Sequence, residues 1–416
     1  MALDPIRLKL IARIARILLA VAILIYGLAI SEPESPRLLA LTLALFSLPL
    51  LLQIARSALV RAYALWLGIF LVVQSLLTPV LLGDAADLVI NRPNMTITRN
   101  FRDGIGPGVP GPQTATTDSK GFRVFPSVDY QRPSEARIFA IGGSTTEQEI
   151  LNDDATWTHR TQVALSERSG KKVEVINTGI RGIRAKNHVA TFRYIVAFHP
   201  DMILFLTGAN DWVFDAFELF GYDQPRRRWV FSNTILGRAM LAEYGRVFGR
   251  RSIAFSIVRP LNGEPSLQRS RKISWLPERA SDQYLDNLRK ISALCHERKI
   301  TCVFLTQPSA YHPDAPDSLK KSFWMTPPAA SYTLTFDSLI HIAEVYNRDL
   351  IEFAKMHGHP VCDLASKIGA TTENFYDDVH FTYAGSQRVA EAVTACIEDV
   401  LDPSPATKTP LLDLGK

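Results

Sequence analysis

Hydrophobic residues are arranged in two different ways along this chain, and the change divides it. Up to Gly83 they form uncharged blocks: fifteen residues from Ile17 to Ser31, eighteen from Leu38 to Ala55, twenty-two from Ala62 to Gly83. A helix rises about 1.5 Å per residue, so roughly 20 residues cross a hydrocarbon layer of about 30 Å. The third block meets this length outright. The second carries Pro49, and the first is short unless Arg13 and Arg16 snorkel. A cleaved signal peptide is the rival reading of the first block and leaves two spans. About three transmembrane helices are expected over 1–83.

Beyond Gly83 the apolar runs become short and alternate with helical periodicity. Residues 84–134 are rich in Pro, Gly, Thr and Asp and read as an extended connector without regular elements. From Arg137 a rhythm sets in. Strands are expected at Arg137–Ile141, Val173–Asn177, Met202–Thr207, Thr301–Thr306 and Pro360–Leu364, each nearly continuous in apolar residues, as in strands buried on both faces. Helices are expected around 156–168, 185–198, 281–298, 335–357 and 384–401. Five strands alternating with helices predict an α/β fold: a parallel sheet, right-handed crossovers, helices on both faces. Sites in such sheets form at the carboxyl ends of the strands.

The rhythm breaks between Asp211 and Ala280. That stretch holds twelve Arg and Lys against seven Asp and Glu, an excess equal to the net +5 of the whole chain. Trp212, Phe214, Phe217, Phe220, Trp229 and Phe231 accompany the charges. A basic, aromatic insertion at 212–280 is expected, either a cap over an acidic or lipid-bound substrate or a solvated surface over a small aromatic core. The predicted organisation is a membrane region 1–83, a connector 84–134, a catalytic domain 135–402 and a tail 403–416.

Charge adds orientation. Arg7, Lys9, Arg13 and Arg16 precede the first block, Arg56 and Arg61 separate the second from the third, and the loop between the first two is acidic. The excess of basic residues places the N-terminus in the cytoplasm and everything after Gly83 outside. Net charge is too small to suggest nucleic-acid binding. The four cysteines, Cys295, Cys302, Cys362 and Cys396, have neither metal-type spacing nor scaffold density. They read as buried thiols, or as one or two disulfides in an exported domain, with pairing left open.

Candidate chemistry lies at the strand ends. Ser144 follows Gly142 and Gly143, which permit a tight turn presenting its hydroxyl. A phosphate-gripping turn is the rival, but no Lys follows and the glycine spacing fails the dinucleotide pattern. Asn210, after the third strand, offers an amide to an oxyanion, or else caps the next helix. Asp377 and His380 stand just before the last helix, suited to activate a serine, with Asp378 as the rival carboxylate. His357, His359 and Cys362 lack a fourth ligand and read as a turn, so no metal or cofactor is expected. Tyr311 and His312 are read either as pocket lining or as a solvated loop.

In order, Gly142-Gly-Ser144-Thr, Asn177-Thr-Gly-Ile-Arg-Gly182, Gly208-Ala-Asn210-Asp and Asp377-x-x-His380 resemble the four blocks of the SGNH/GDSL hydrolase family. The resemblance covers roughly 135–401 without the insertion. It implies a flavodoxin-like three-layer α/β/α sandwich with a five-stranded parallel sheet and serine esterase or acyl-transfer chemistry. Ser144 would be nucleophile, His380 base and Asp377 its partner, with an oxyanion hole of Ser144, Gly182 and Asn210. Gly182 fits the second block better than Gly179. Thr117-Asp-Ser-Lys-Gly-Phe-Arg123 resembles a segment preceding the domain in bacterial membrane-anchored members. That points to a multi-pass protein of the inner membrane with its catalytic domain on the periplasmic side. Two departures stand out, Gly-Gly-Ser for Gly-Asp-Ser and Gly-Ala-Asn-Asp for Gly-Gly-Asn-Asp. The expected substrate is an acylated, most plausibly O-acetylated, envelope glycan, a lipid or a small ester. Rival readings are an O-acyltransferase using the same triad and a non-catalytic envelope-assembly component. Membrane lipids are expected neighbours, and the residues name no protein partner.

Overall fold

The computed structural model describes residues 87–401 except 92, 101–107, 110, 127, 133, 222–251, 257–265 and 328–329. The three apolar blocks and the tail 403–416 lie outside the described residues. Two compact units divide the chain, and every described residue belongs to the one comprising Asp87–Arg226 and Gly245–Lys416.

Its centre is a five-stranded, all-parallel sheet: β1 (Ala136–Gly142), β2 (Val173–Asn177), β3 (Met202–Leu206), β4 (Thr301–Leu305) and β5 (Val361–Cys362). The spatial order is 2-1-3-4-5, the doubly wound arrangement found in flavodoxin. Its strands coincide with the short apolar runs because β1, β2 and β3 are buried along almost their whole length.

Around the sheet lie α1 (Ser144–Glu147), α2 (Trp157–Ser169), α3 (Ala185–Ile195), α4 (Ala209–Phe220), α5 (Asp282–Arg298), α6 (Phe336–Met356) and α7 (Tyr383–Leu401). Helices α3 and α5 pack together, and so do α2 and α7, as right-handed crossovers would place them on the two faces. Hydroxyl caps start three of them: Thr156, Ser281 and Thr335 accept the backbone N–H of His159, Tyr284 and Ser338.

Two differences from the expected elements have physical causes. The stretch 84–134 contains strands at Thr96–Asn100 and Gln113–Thr116, paired antiparallel, with Ser252–Ser256 parallel on the first one's other side. Threonines favour the pleat there, and the Gly/Pro run lies between the two strands. Helix α4 runs to Phe220, nine residues into the stretch set apart as an insertion. Trp212 and Ala216 on it are fully packed, so its aromatics belong partly to the core. Among the described residues no helix is long and apolar enough to cross a membrane.

All four cysteines are paired. Cys295–Cys302 joins the end of α5 to β4, and Cys362–Cys396 ties β5 to α7.

Candidate active site

Three strand ends and one loop converge. β1 ends at Gly142, where a Cβ would lie 2.0 Å from Thr146 Oγ1 and 2.8 Å from Leu206 O, so only glycine lets α1 turn this tightly against β3. Gly143 caps α1, and Ser144 is its first residue. His380 stands at the far end of the sequence, in a loop closed by the Phe375–Phe381 bridge. Its Nε2 lies 2.7 Å from Ser144 Oγ. Its Nδ1 lies 2.9 and 2.8 Å from the two oxygens of Asp377. With Nδ1–H donating to the carboxylate, the Nε2 lone pair is left to accept from the serine hydroxyl.

Asp377 is itself held. Its Oδ1 accepts the backbone N–H of Val379 (3.0 Å) and His380 (2.8 Å), and its Oδ2 accepts Trp324 Nε1–H (2.8 Å). Burial pushes this carboxyl up, but the His380 charge and the hydrogen bonds from His380 and Trp324 outweigh it. Asp377 therefore lies below its ordinary value. The rings of Trp324 and Tyr376 run nearly parallel to the imidazole, at 6.1 Å and 5.6 Å between centroids.

Asp378, the rival carboxylate, serves a different purpose. Its Oδ2 accepts Tyr311 OH (2.9 Å) and the N–H of Met325 (2.7 Å) and Trp324 (3.2 Å), which fastens the Trp324 segment to the loop. Burial and the neighbouring Asp377 charge push it up. Tyr311 is buried in this contact, while His312 is exposed beside Asp314. His359 Nε2 bonds Ser292 Oγ (2.8 Å) and Cys362 is in a disulfide, and no described group of side chains is arranged to hold a metal ion.

Asn210 is the second residue of α4, and its Nδ2 donates to Ile183 O at 2.8 Å. Gly143 lies against it; a Cβ there would come within 2.6 Å of Nδ2. Ser144 and Asn210 both sit at helix N-termini, where partial positive charge gathers. The second-block loop separates its two glycines. Gly179 is pressed on α1, its Cβ position 2.3 Å from Glu147 N, whereas Gly182 is open and has φ of 74°. The backbone N–H groups of Ser144 and Gly182 donate to no described residue.

Several further contacts were not legible in the sequence. Arg123 is buried, donating from Nε to Asp153 (2.9 Å) and through its terminal nitrogens to the carbonyls of Glu147 (2.7 Å), Gln148 (2.5 Å) and Leu151. Its backbone pairs with Asn177, which in turn donates from Nδ2 to Thr146 O. Thr145 Oγ1 reaches Gln307 (3.1 Å).

A family model for GDSL-like lipases and acylhydrolases matches residues 140–388, more than half of the chain. The chain belongs to the GDSL-like lipase/acylhydrolase family. As a family member it is a serine hydrolase acting on esters. Solved structures similar to it include an alpha/beta hydrolase enzyme from the metagenome of Lake Arreo, at 14% identity over 65% of this chain and 99% of that one, TM-score 0.38. An acetylxylan esterase from Geobacillus stearothermophilus aligns at 14% identity over 64% and 94%, TM-score 0.38. A GDSL-like lipase from Bacteroides thetaiotaomicron aligns at 14% over 64% and 88%, TM-score 0.33. No curated protein matches the chain.

Proposed function

We propose that this family member is a membrane-anchored esterase in which Ser144 is the nucleophile, His380 the base and Asp377 its orienting partner. The observation that carries this reading is the unbroken hydrogen-bond line from Ser144 Oγ through the imidazole to Asp377. Nε2 takes the hydroxyl proton as Oγ attacks the ester carbonyl carbon. Charge develops on the carbonyl oxygen, facing the Ser144 and Gly182 N–H groups and the Asn210 amide, all already in place. The imidazolium, stabilised by Asp377, returns the proton to the departing alcohol. Water then gives a proton to Nε2 as its oxygen attacks the acyl carbon, and Nε2 returns that proton to Ser144 Oγ as the Oγ–carbon bond breaks and the acid leaves.

The site is assigned to the outer side of a bacterial cytoplasmic membrane, with the apolar blocks before Gly83 as anchor. Basic residues around those blocks support the orientation. Pairing of all four cysteines supports an oxidising compartment. In that setting the substrate is an O-acetyl or other acyl ester on an envelope glycan or lipid. Ser144→Ala should abolish p-nitrophenyl acetate hydrolysis and fluorophosphonate labelling, and wild-type activity in that variant would refute the mechanism. Envelope glycans from cells carrying Ser144→Ala should retain acyl groups that the wild type removes. Loss of acyl groups in the variant would instead identify a transferase.

A further inference from the structure

The oxyanion donors proposed above come from three separate pieces of chain, and something must fix the spacing of the two backbone donors. Ser144 opens α1. Gly182 lies in a turn whose ends, Ile180 O and Ile183 N–H, are 3.5 Å apart, with Gly182 at the φ that the third residue of a type II turn requires. In such a turn the peptide ahead of the glycine can rotate, and its N–H direction rotates with it. Two consecutive amides ahead of Gly182 are anchored. Ile180 N–H donates to Gly142 O (3.1 Å), and Arg181 N–H donates to Glu147 Oε2 (2.7 Å). Glu147 is the last residue of α1, one helical turn after Ser144.

We infer that Glu147 is a positioning residue that fixes the Gly182 N–H relative to the Ser144 N–H by joining the nucleophile's helix to the oxyanion turn. The inference rests on the oxyanion assignment of the proposed function. Glu147 is only 4% exposed, an unusual degree of burial for a carboxylate. Burial, and then the Glu149 charge, push its carboxyl up, against the pull of Arg181 and Arg123. The side chain is thus kept inside at a cost, and its one backbone partner among the described residues is the amide next to Gly182. Arg181's own side chain turns away to Glu149, so the link runs through the main chain.

The test uses the full-length protein and p-nitrophenyl acetate. Glu147→Ala should lower kcat about tenfold to a hundredfold with KM within about twofold, the expected cost of a slightly misplaced donor. The inhibition constant of an aryl trifluoromethyl ketone, whose hemiketal oxyanion fills the same hole, should weaken by the same factor. Glu147→Gln, whose carbonyl still accepts the Arg181 N–H, should restore kcat to within about threefold of wild type. Arg181→Pro deletes the N–H at a turn position that suits proline and should reproduce Glu147→Ala, while Arg181→Ala should not. This pair answers the question even if Glu147→Ala fails to fold. Unchanged kcat in Arg181→Pro, or a Gln variant as impaired as the Ala variant, would overturn the inference. An active Ser144→Ala would instead bring down the parent reading.

Discussion

Gly143→Ala isolates one contact in the site. Gly143 has φ −82° and ψ −151°, a conformation open to alanine, so the substitution adds no backbone strain. The new Cβ would stand 2.6 Å from Asn210 Nδ2, where ordinary contact begins at 3.4 Å. The amide must therefore retreat by about 0.8 Å, the difference between those distances. It is now held by Ile183 O at 2.8 Å, so the retreat breaks that bond and withdraws the donor from the oxyanion. A misplacement near 1 Å costs about a hundredfold and outright loss of one donor about 10²–10³, so kcat should fall roughly tenfold to a hundredfold with little change in KM. Steady-state hydrolysis of p-nitrophenyl acetate measures this, with a thermal melt to confirm folding. The sharper measurement is the cycle with Asn210→Ala. Without the amide there is nothing to collide with, so Gly143→Ala should cost almost nothing in that background. Additive effects, or a single variant within twofold of wild type, would refute the reasoning.

Three further outcomes follow from the same geometry. Asp377→Asn presents an NH2 to His380 Nδ1 and favours the wrong tautomer, so kcat should fall by about 10³–10⁴ in stopped-assay kinetics; a loss below tenfold would remove Asp377 from its role. Burial raises Asp211 from 3.8 to about 7. Its folded form therefore holds the proton more tightly than the unfolded chain, and its contribution to stability is greatest below pH 3.8 and declines as pH rises toward 7. Asp211→Asn, which still accepts the Ala185 N–H, should flatten that decline in urea midpoints, and an unchanged slope would count against it. Finally, Cys362–Cys396 spans 34 residues and Cys295–Cys302 spans 7. Loop entropy gives about 4 and about 2.5 kcal/mol, so replacing the longer pair by alanines should lower the melting temperature more, and the reverse order would contradict this.

The sheet was legible because its strands are buried on both faces and leave unbroken apolar runs; β2 spans the expected Val173–Asn177. The residues proposed to react could be picked out because each follows a strand or precedes a helix beside a distinctive neighbour. Helix α4 was partly hidden, since its aromatics were grouped with the basic residues that follow it as one insertion. What did not show were groups defined by distant partners. Trp324 meets Asp377 across 53 residues, Tyr311 meets Asp378 across 67, and Arg123 meets Leu151 across 28. Such contacts leave no local period. Asp377 was preferred to Asp378 through the resemblance alone; in the structure Asp377 meets His380, while Asp378 meets Tyr311 and the Trp324 backbone.

Arg123 has a practical meaning for where the enzyme begins. A protein cut at residue 135, where the strand–helix rhythm starts, would lack the cation facing Asp153 and the donor for three carbonyls at the end of α1. Stripping one partner from a buried ion pair costs about 3–5 kcal/mol. The upstream turn is part of the same assembly, since Asn94 N–H reaches Asp118 O and Asp118 fixes Phe122 beside Arg123. What looks like a tether is thus a splint for the helix that carries Ser144. A shortened form of this hydrolase should start no later than Asp87, which meets Lys186 and Asn187, and trimming further should be felt at Ser144 long before it reaches the sheet.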